Sequence, residues 1–317
     1  MAGALTSLAR RHDAEAQNTG KVRRIGVLAS TPTPHLAEAF QQGLRDLGWV
    51  DGRNITLEYR YWQARPESLV DAAAQLVRLN VDVIATWDGF GTDAARKATA
   101  SIPIVFLIHG DPVGVGHVAS LARPGGNVTG TGGFFPALSE KRLELLREAV
   151  PALSRVAVLW NTANPVKVLE WKTAQAAGRS LSLNLESREV RGPDDFPRAF
   201  AAIRSQRPDA LMPLEDPVVF RERAAIVEFA NKERLPAMYA LREFTDLGGL
   251  MTYGVDLVAS FRRGASYVDR ILKGARPADL PVEQPTKFEF IVNLKTARTL
   301  GLMIPRSLLL RADQVIQ

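Results

Sequence analysis

Three stretches of the chain carry the residue types from which reactive or ligand-binding sites are built. PIVFLI (103–108) runs into His109-Gly110-Asp111, VDVIAT (81–86) into Trp87-Asp88-Gly89, and DALMPL (209–214) into Glu215-Asp216. A His-Gly pair after a buried strand can open the oxyanion loop of an α/β-hydrolase. That chemistry needs a serine on a nucleophile elbow, G-x-S-x-G. None is present: GRSLS (178–182) lacks the last glycine, and GASYV (264–268) lies within a helical stripe. There is no cysteine either. Acyl transfer therefore has no activated nucleophile, and a hydrolase is not expected.

A second chemistry is nucleotide binding. GFGTDA (89–94) fits G-x-G-x-x-A, and Asp111 follows at about the spacing of a ribose-binding acid. A nucleotide- or NAD(P)-dependent enzyme using Gly89–Ala94 is thus the alternative reading. Against it, this is the third strand of its series, whereas the dinucleotide fingerprint opens the fold. A tight strand-to-helix turn with free N–H groups accounts for the glycines equally well, and such a turn holds any anion. Asp111, Glu215 and Asp216 are either helix caps or acceptors for a ligand ammonium or hydroxyl. Their spacing fixes no carboxylate pair for glycoside hydrolysis. The four histidines (His12, His35, His109, His117) have no metal-ligand spacing, so neither a metal nor a cofactor is expected. Trp87 and Trp160 occupy equivalent places in the two halves of the chain. With Tyr239, Phe134 and Phe135 they are either core or the walls of a site for a ring-bearing ligand.

The elements that must position these residues follow from composition and period. With 317 residues, 46% hydrophobic and 23% charged, the chain is long enough for two globular domains. Its net charge of +6 comes from scattered Lys and Arg without interleaved aromatics, so no nucleic-acid partner is expected. No apolar run reaches the roughly 18 residues of a membrane span. Residues 1–23 read as a tail or, from the small-x-small stretch AEAQ (14–17), as the remnant of a leader.

Short apolar runs alternate with helical stripes. Strands are expected at 24–30, 54–60, 81–86, 103–108, 155–160, 181–187, 209–214 and 236–240. Helices are expected on the stripes Leu36/Phe40/Leu44/Leu47, Leu69/Leu76/Leu79, Leu143/Leu146/Val150 (capped by Ser139) and Leu257/Phe261/Ala265/Val268/Leu272. The fold class is α/β, with two similar doubly wound parallel-sheet lobes. A Gly-rich interruption at 123–138 separates two runs of this rhythm. Pattern alone leaves open whether the chain crosses between lobes once or several times. In parallel sheets ligands sit beyond the C-terminal strand ends. That rule selects Ser30, Thr31, Thr86, Trp87, Asp88, Gly89, His109, Asp111, Trp160, Asn161, Asn164, Glu215, Asp216 and Tyr239 as the ligand-binding candidates.

At these residues the chain resembles the substrate-binding proteins of ABC transporters, in their tryptophan/tyrosine-type group. The likeness is carried by HGDPVGVGHVASLARPGGNVTG (109–130), REFTDLGGLMTYG (242–254), YVDRILKGARPADLPVEQPTKFEFIVNLKTARTLGL (267–302) and RADQVI (311–316). It implies a periplasmic-binding-protein type I clamshell with a multi-crossing hinge. Lobe 1 would comprise 24–132 plus 251–283, and lobe 2 would comprise 133–250 plus 284–317. It implies an extracytoplasmic, periplasmic solute receptor without catalytic activity. The solute would be small and polar, such as an aromatic or branched amino acid. The partners would be an ABC permease and its ATPase, with the membrane met only through the permease. Two departures stand out: no secretory leader is recognisable, and TWDGFGT carries a Trp and an Asp where relatives often have small residues.

Overall fold

Apolar runs of three or four residues between helices can only be strands covered on both faces. In the computed structural model, which describes residues 22–133 and 135–317, the shortest such runs are buried at every position. The tail or leader remnant expected at the N-terminus, up to residue 21, and the aromatic Phe134 lie outside the described residues. β1 (Arg23–Ala29), β2 (Ile55–Tyr61), β3 (Val83–Thr86), β4 (Ile104–Phe106) and β5 (Val128–Gly130) form one parallel sheet in the order β2-β1-β3-β4-β5. The Gly-rich interruption thus contains this sheet's last strand. Helices α1 (Pro34–Asp46), α2 (Pro66–Arg78) and α3 (Gly89–Ala98) cover its faces. The side-chain period of two sorts the layers. Ile25, Val27 and Ala29 pack with Leu36, Phe40 and Leu44 of α1, while Leu28 packs with Leu69 and Leu76 of α2.

The second lobe repeats the scheme. It contains α4 (Phe135–Ala149), β6 (Arg155–Asn161), α5 (Pro165–Ser180), β7 (Asn184–Val190), α6 (Phe196–Gln206), β8 (Ala210–Pro213), α7 (Pro217–Arg221), α8 (Arg223–Lys232), β9 (Met238–Tyr239), α9 (Arg242–Asp246) and β10 (Met251–Val255). α10 (Leu257–Leu272) leaves it, and β11 (Phe288–Asn293), α11 (Leu294–Leu300), α12 (Arg306–Leu309) and β12 (Gln314–Ile316) return to it. Its strands run β7-β6-β8, then through a Leu211–Ala237 bridge to β9-β10-β11-β12. All neighbours are parallel except β10 with β11.

Three expectations are corrected. β7 starts at 184, not 181: α5 runs on to Ser180, and the chain reverses through Ser182 at φ 56°. Ser139 is no cap. It lies inside α4, where its hydroxyl donates to Glu170 Oε1 at 2.8 Å. Residues 251–255 do not return to the first lobe, because β10 is hydrogen-bonded between β9 and β11. The return begins after Val255, with α10 packed on α1. There Gly43 lies so near Ala265 and the Arg262 carbonyl that a Cβ would come within 2.8–2.9 Å of them.

The lobes are therefore joined by three segments, near 131–133, 255–257 and 283–287. They are tied to one another by Gly132 N–H to Glu283 O at 2.9 Å and Asp256 N–H to Lys287 O at 3.2 Å.

Candidate functional site

Because strand ends of both sheets face the gap between the lobes, the helices that follow them begin there. Five helix N-termini reach one cleft: Thr33 before α1, Asp88 and Gly89 at α3, Asn164 and Lys167 at α5, Asp216 and Pro217 at α7, and Leu257 at α10. Four carry side-chain caps. Asp88 Oδ1 accepts from Gly91 N–H at 2.7 Å, Asn164 Oδ1 from Val166 N–H at 3.0 Å, Asp216 Oδ1 from Val219 N–H at 2.9 Å, and Asp256 Oδ1 from Ala259 N–H at 2.8 Å. Thr33 makes no side-chain cap. The N-terminus of α1 therefore keeps its partial positive charge for another anion.

The walls of the cleft differ in chemistry. Trp87 packs edge-on against Phe261 with ring centroids 4.9 Å apart, and Leu36, Ile108, Phe220, Leu241 and Leu257 extend the apolar surface. Polar groups come from Ser30, Thr33, Asp88, Lys167, Glu215 and Asp216. Lys167 Nζ sits 2.6 Å from Glu170 Oε2, and the buried Arg142 Nη1 lies 3.1 Å from Glu170 Oε1. Arg142 Nε also donates to the Tyr253 carbonyl at 2.8 Å, fastening α4 to β10. Burial works to raise the Glu170 carboxyl, but Lys167 and Arg142 outweigh it and hold it below the usual carboxylate range. Desolvation pushes Glu215 up to about 7 against the pull of Lys167, with the Asp216 carboxylate adding to the rise. Burial likewise pushes Asp88 up to about 6, opposed by the Gly91 N–H and reinforced by Asp216. The rim is spanned by His35 Nε2 to Glu243 Oε1 at 2.8 Å, and by Arg221 Nη1 donating to the Gln63 carbonyl at 2.5 Å.

Of the strand-end candidates, Ser30, Trp87, Asp88, Gly89, His109, Asn164, Glu215 and Asp216 line this cleft. The other six do not. Thr31 only offers its carbonyl to the Thr33 hydroxyl at 3.4 Å. Thr86 is buried and bonded to Thr92 Oγ1 at 2.7 Å, tying β3 to α3. Asn161 acts from behind, donating to Asp216 Oδ2 at 2.6 Å. Trp160 points into the second lobe's core, stacks on Trp171 at 5.7 Å and donates to Ser187 Oγ at 2.8 Å. Tyr239 is buried and stacked on Phe244 at 4.8 Å. Asp111 shapes its turn, accepting from Gly114 N–H at 2.7 Å. His109 is buried behind it: its Nδ1 accepts from Asp111 N–H at 3.2 Å, which leaves Nε2 to donate to His117 Nδ1 at 2.9 Å. Burial keeps both rings neutral by lowering them, His117 to about 4.

Strand-end reasoning missed Lys167, which had a signal of its own. A lysine in the first turn of a helix opposes the dipole, and a broken local rule often marks a functional place. It also missed Phe261 and Leu257, which read as ordinary core stripe. The nucleotide alternative fails locally. The Asp88 carboxylate already occupies the N–H of Gly91, where a pyrophosphate would have to sit, and Asp111 is turned to its own loop.

Residues 25–316 match the family described as ABC transporter substrate binding protein. A tyrosine-binding protein of Clostridioides difficile (strain R20291) is 24% identical over 285 residues, covering 89% of this chain and 82% of that protein. Among solved structures, a conserved domain protein from Vibrio cholerae is 28% identical with a TM-score of 0.88, covering 93% of this chain and all of that one. The ABC domain of Streptococcus pneumonia in complex with L-Trp is 24% identical with a TM-score of 0.87, over the same shares.

Proposed function

Since the chain belongs to the family of ABC transporter substrate-binding proteins, we propose that its solute is an aromatic α-amino acid, captured between the lobes and handed to an ABC permease driven by its ATPase. The observation that carries this reading is one cleft with two kinds of wall. Trp87 and Phe261 suit an aromatic ring, while Lys167, Glu215 and Asp216 suit a zwitterion. The solute carboxylate meets the uncapped N-terminus of α1 with the Ser30 and Thr33 hydroxyls. The ammonium meets Glu215, Asp216 and Asp88. Relatives that bind tyrosine or L-Trp support the class.

The two bodies that close are residues 22–132 with 257–283, and 133–256 with 284–317. They rotate about the three joining segments, and closure is the state the permease reads. The protein works as a receptor without turnover, and its place is the periplasm. No helix among the described residues is long and apolar enough to cross a membrane. Titration calorimetry with the twenty L-amino acids tests the solute. Heat from tryptophan or tyrosine is expected, and silence across the panel would sink the reading.

A further inference from the structure

The two oxygens of Asp88 have different fates. Oδ1 caps α3 and fixes the side chain. Oδ2 is buried and meets no donor at hydrogen-bonding distance among the described residues, although the Trp62 indole N–H, itself unpartnered, stands near enough to favour the charged carboxylate. The indole N–H of Trp87, the residue beside it, is buried without a partner too. Asp88 lines the cleft from the first lobe, and Asp216 lines it from the second. Asp216 cannot turn away, because Asn161 holds its Oδ2 at 2.6 Å and the Val219 N–H holds its Oδ1 at 2.9 Å. Closing the lobes strips water from both carboxylates and brings like charges together. Burying a charged acceptor without a donor is costly, and a neighbouring like charge adds to that cost.

We propose that Asp88 and Asp216 form an electrostatic gate: facing each other from opposite lobes, they oppose closure of the unliganded cleft, and a solute ammonium between them turns that opposition into attraction. The amine is then required for closing as well as for binding. A solute with a carboxylate alone brings no positive charge to offset Asp88, Asp216 and Glu215, which Lys167 balances only in part, so it is refused. The raised Asp88 carboxyl, caused by burial and by Asp216, fits a site where a lone negative charge is disfavoured. Only the amine argument rests on the amino-acid reading above.

The test has two arms and two variants. D88N and D88S each keep a capping oxygen, so α3 should stay folded, and a thermal melt checks this. In small-angle X-ray scattering at pH 8, the solute-free wild type should be more expanded than the solute-bound form, and solute-free D88N and D88S should contract. In calorimetry, the wild type should prefer L-tryptophan to 3-(indol-3-yl)propanoic acid, which lacks only the amine, by about 100-fold, and D88N by about 10-fold or less. A solute-free wild type that is already compact overturns the gate, as do variants that scatter like an expanded wild type, whatever the solute proves to be. Contraction of the variants with no response to tryptophan supports the gate and removes the amino-acid reading alone.

Discussion

The two sides of the cleft are built from the same strand-turn-helix unit yet present opposite chemistry. The first lobe offers a wall of Trp87, Leu36 and Ile108, joined by Phe261 from α10, with Asp88 as its one carboxylate in the cleft. The second offers Lys167, Glu215 and Asp216, backed by Arg142 and Glu170. The difference lies behind the surface. Apolar core stands directly behind Trp87, whereas Lys167 and Glu215 border a buried ionic cluster whose charges must balance. The aromatic part of the wall is thus built mainly by the first lobe and its helix α10, and the ionic part mainly by the second.

The comparison is broken most severely at Glu170. Glu170→Ala leaves Arg142 and Lys167 without their shared carboxylate, and should cost about 3–5 kcal/mol of stability in chemical denaturation. Next come the two tryptophans that look equivalent in sequence. Trp87→Ala should weaken binding of an aromatic amino acid by about 2 kcal/mol in calorimetry. Trp160→Ala should lower the melting temperature of the second lobe while leaving the affinity of the folded protein unchanged. Equal losses of affinity in the two would erase the division between the lobes.

A smaller effect is set by pH. Ammonium binding needs ionised carboxylates, so affinity is full above pH 7. It should fall as pH drops through about 7 for Glu215 and then about 6 for Asp88, by up to about tenfold per pH unit for each group. Glu215 also faces Lys167, Asp216, Glu170 and Glu243. His109 and His117 are both lowered and stay neutral across this window. Glu215→Gln should remove the upper step from a plot of log Kd against pH. The smallest effect is expected for Asp111→Asn, where the turn to Gly114 survives: affinity unchanged and stability within about 0.5 kcal/mol.

The strand ends were legible because apolar runs and the parallel-sheet rule locate them without any knowledge of packing. What the rule could not read was which way each side chain points. Trp87 and Trp160 both close a strand, yet one faces the cleft and the other faces α5. Asn161 and Asp216 were both selected, and only their contact shows that one orients the other. Lys167 lay two residues inside a helix, beyond the positions the rule inspects. Phe261 and Leu257 belong to the site only because α10 crosses back, and the register of that crossing depends on β10 pairing with β9 and β11. The family resemblance assigned that crossing to the first lobe a few residues early, because 251–255 still belong to the second sheet.

The seat of α10 on α1 also governs when the first lobe can exist. The face of α1 around Gly43 is covered by a helix that begins at residue 257, after most of the second lobe has been synthesised. Until then a nascent chain carries that face of α1 uncovered, so the lobes cannot mature one after the other. Contacts this distant in sequence also slow folding. Fragments ending between residues 133 and 256 are therefore orphans: they contain every strand of the first sheet and still lack the helix that completes it.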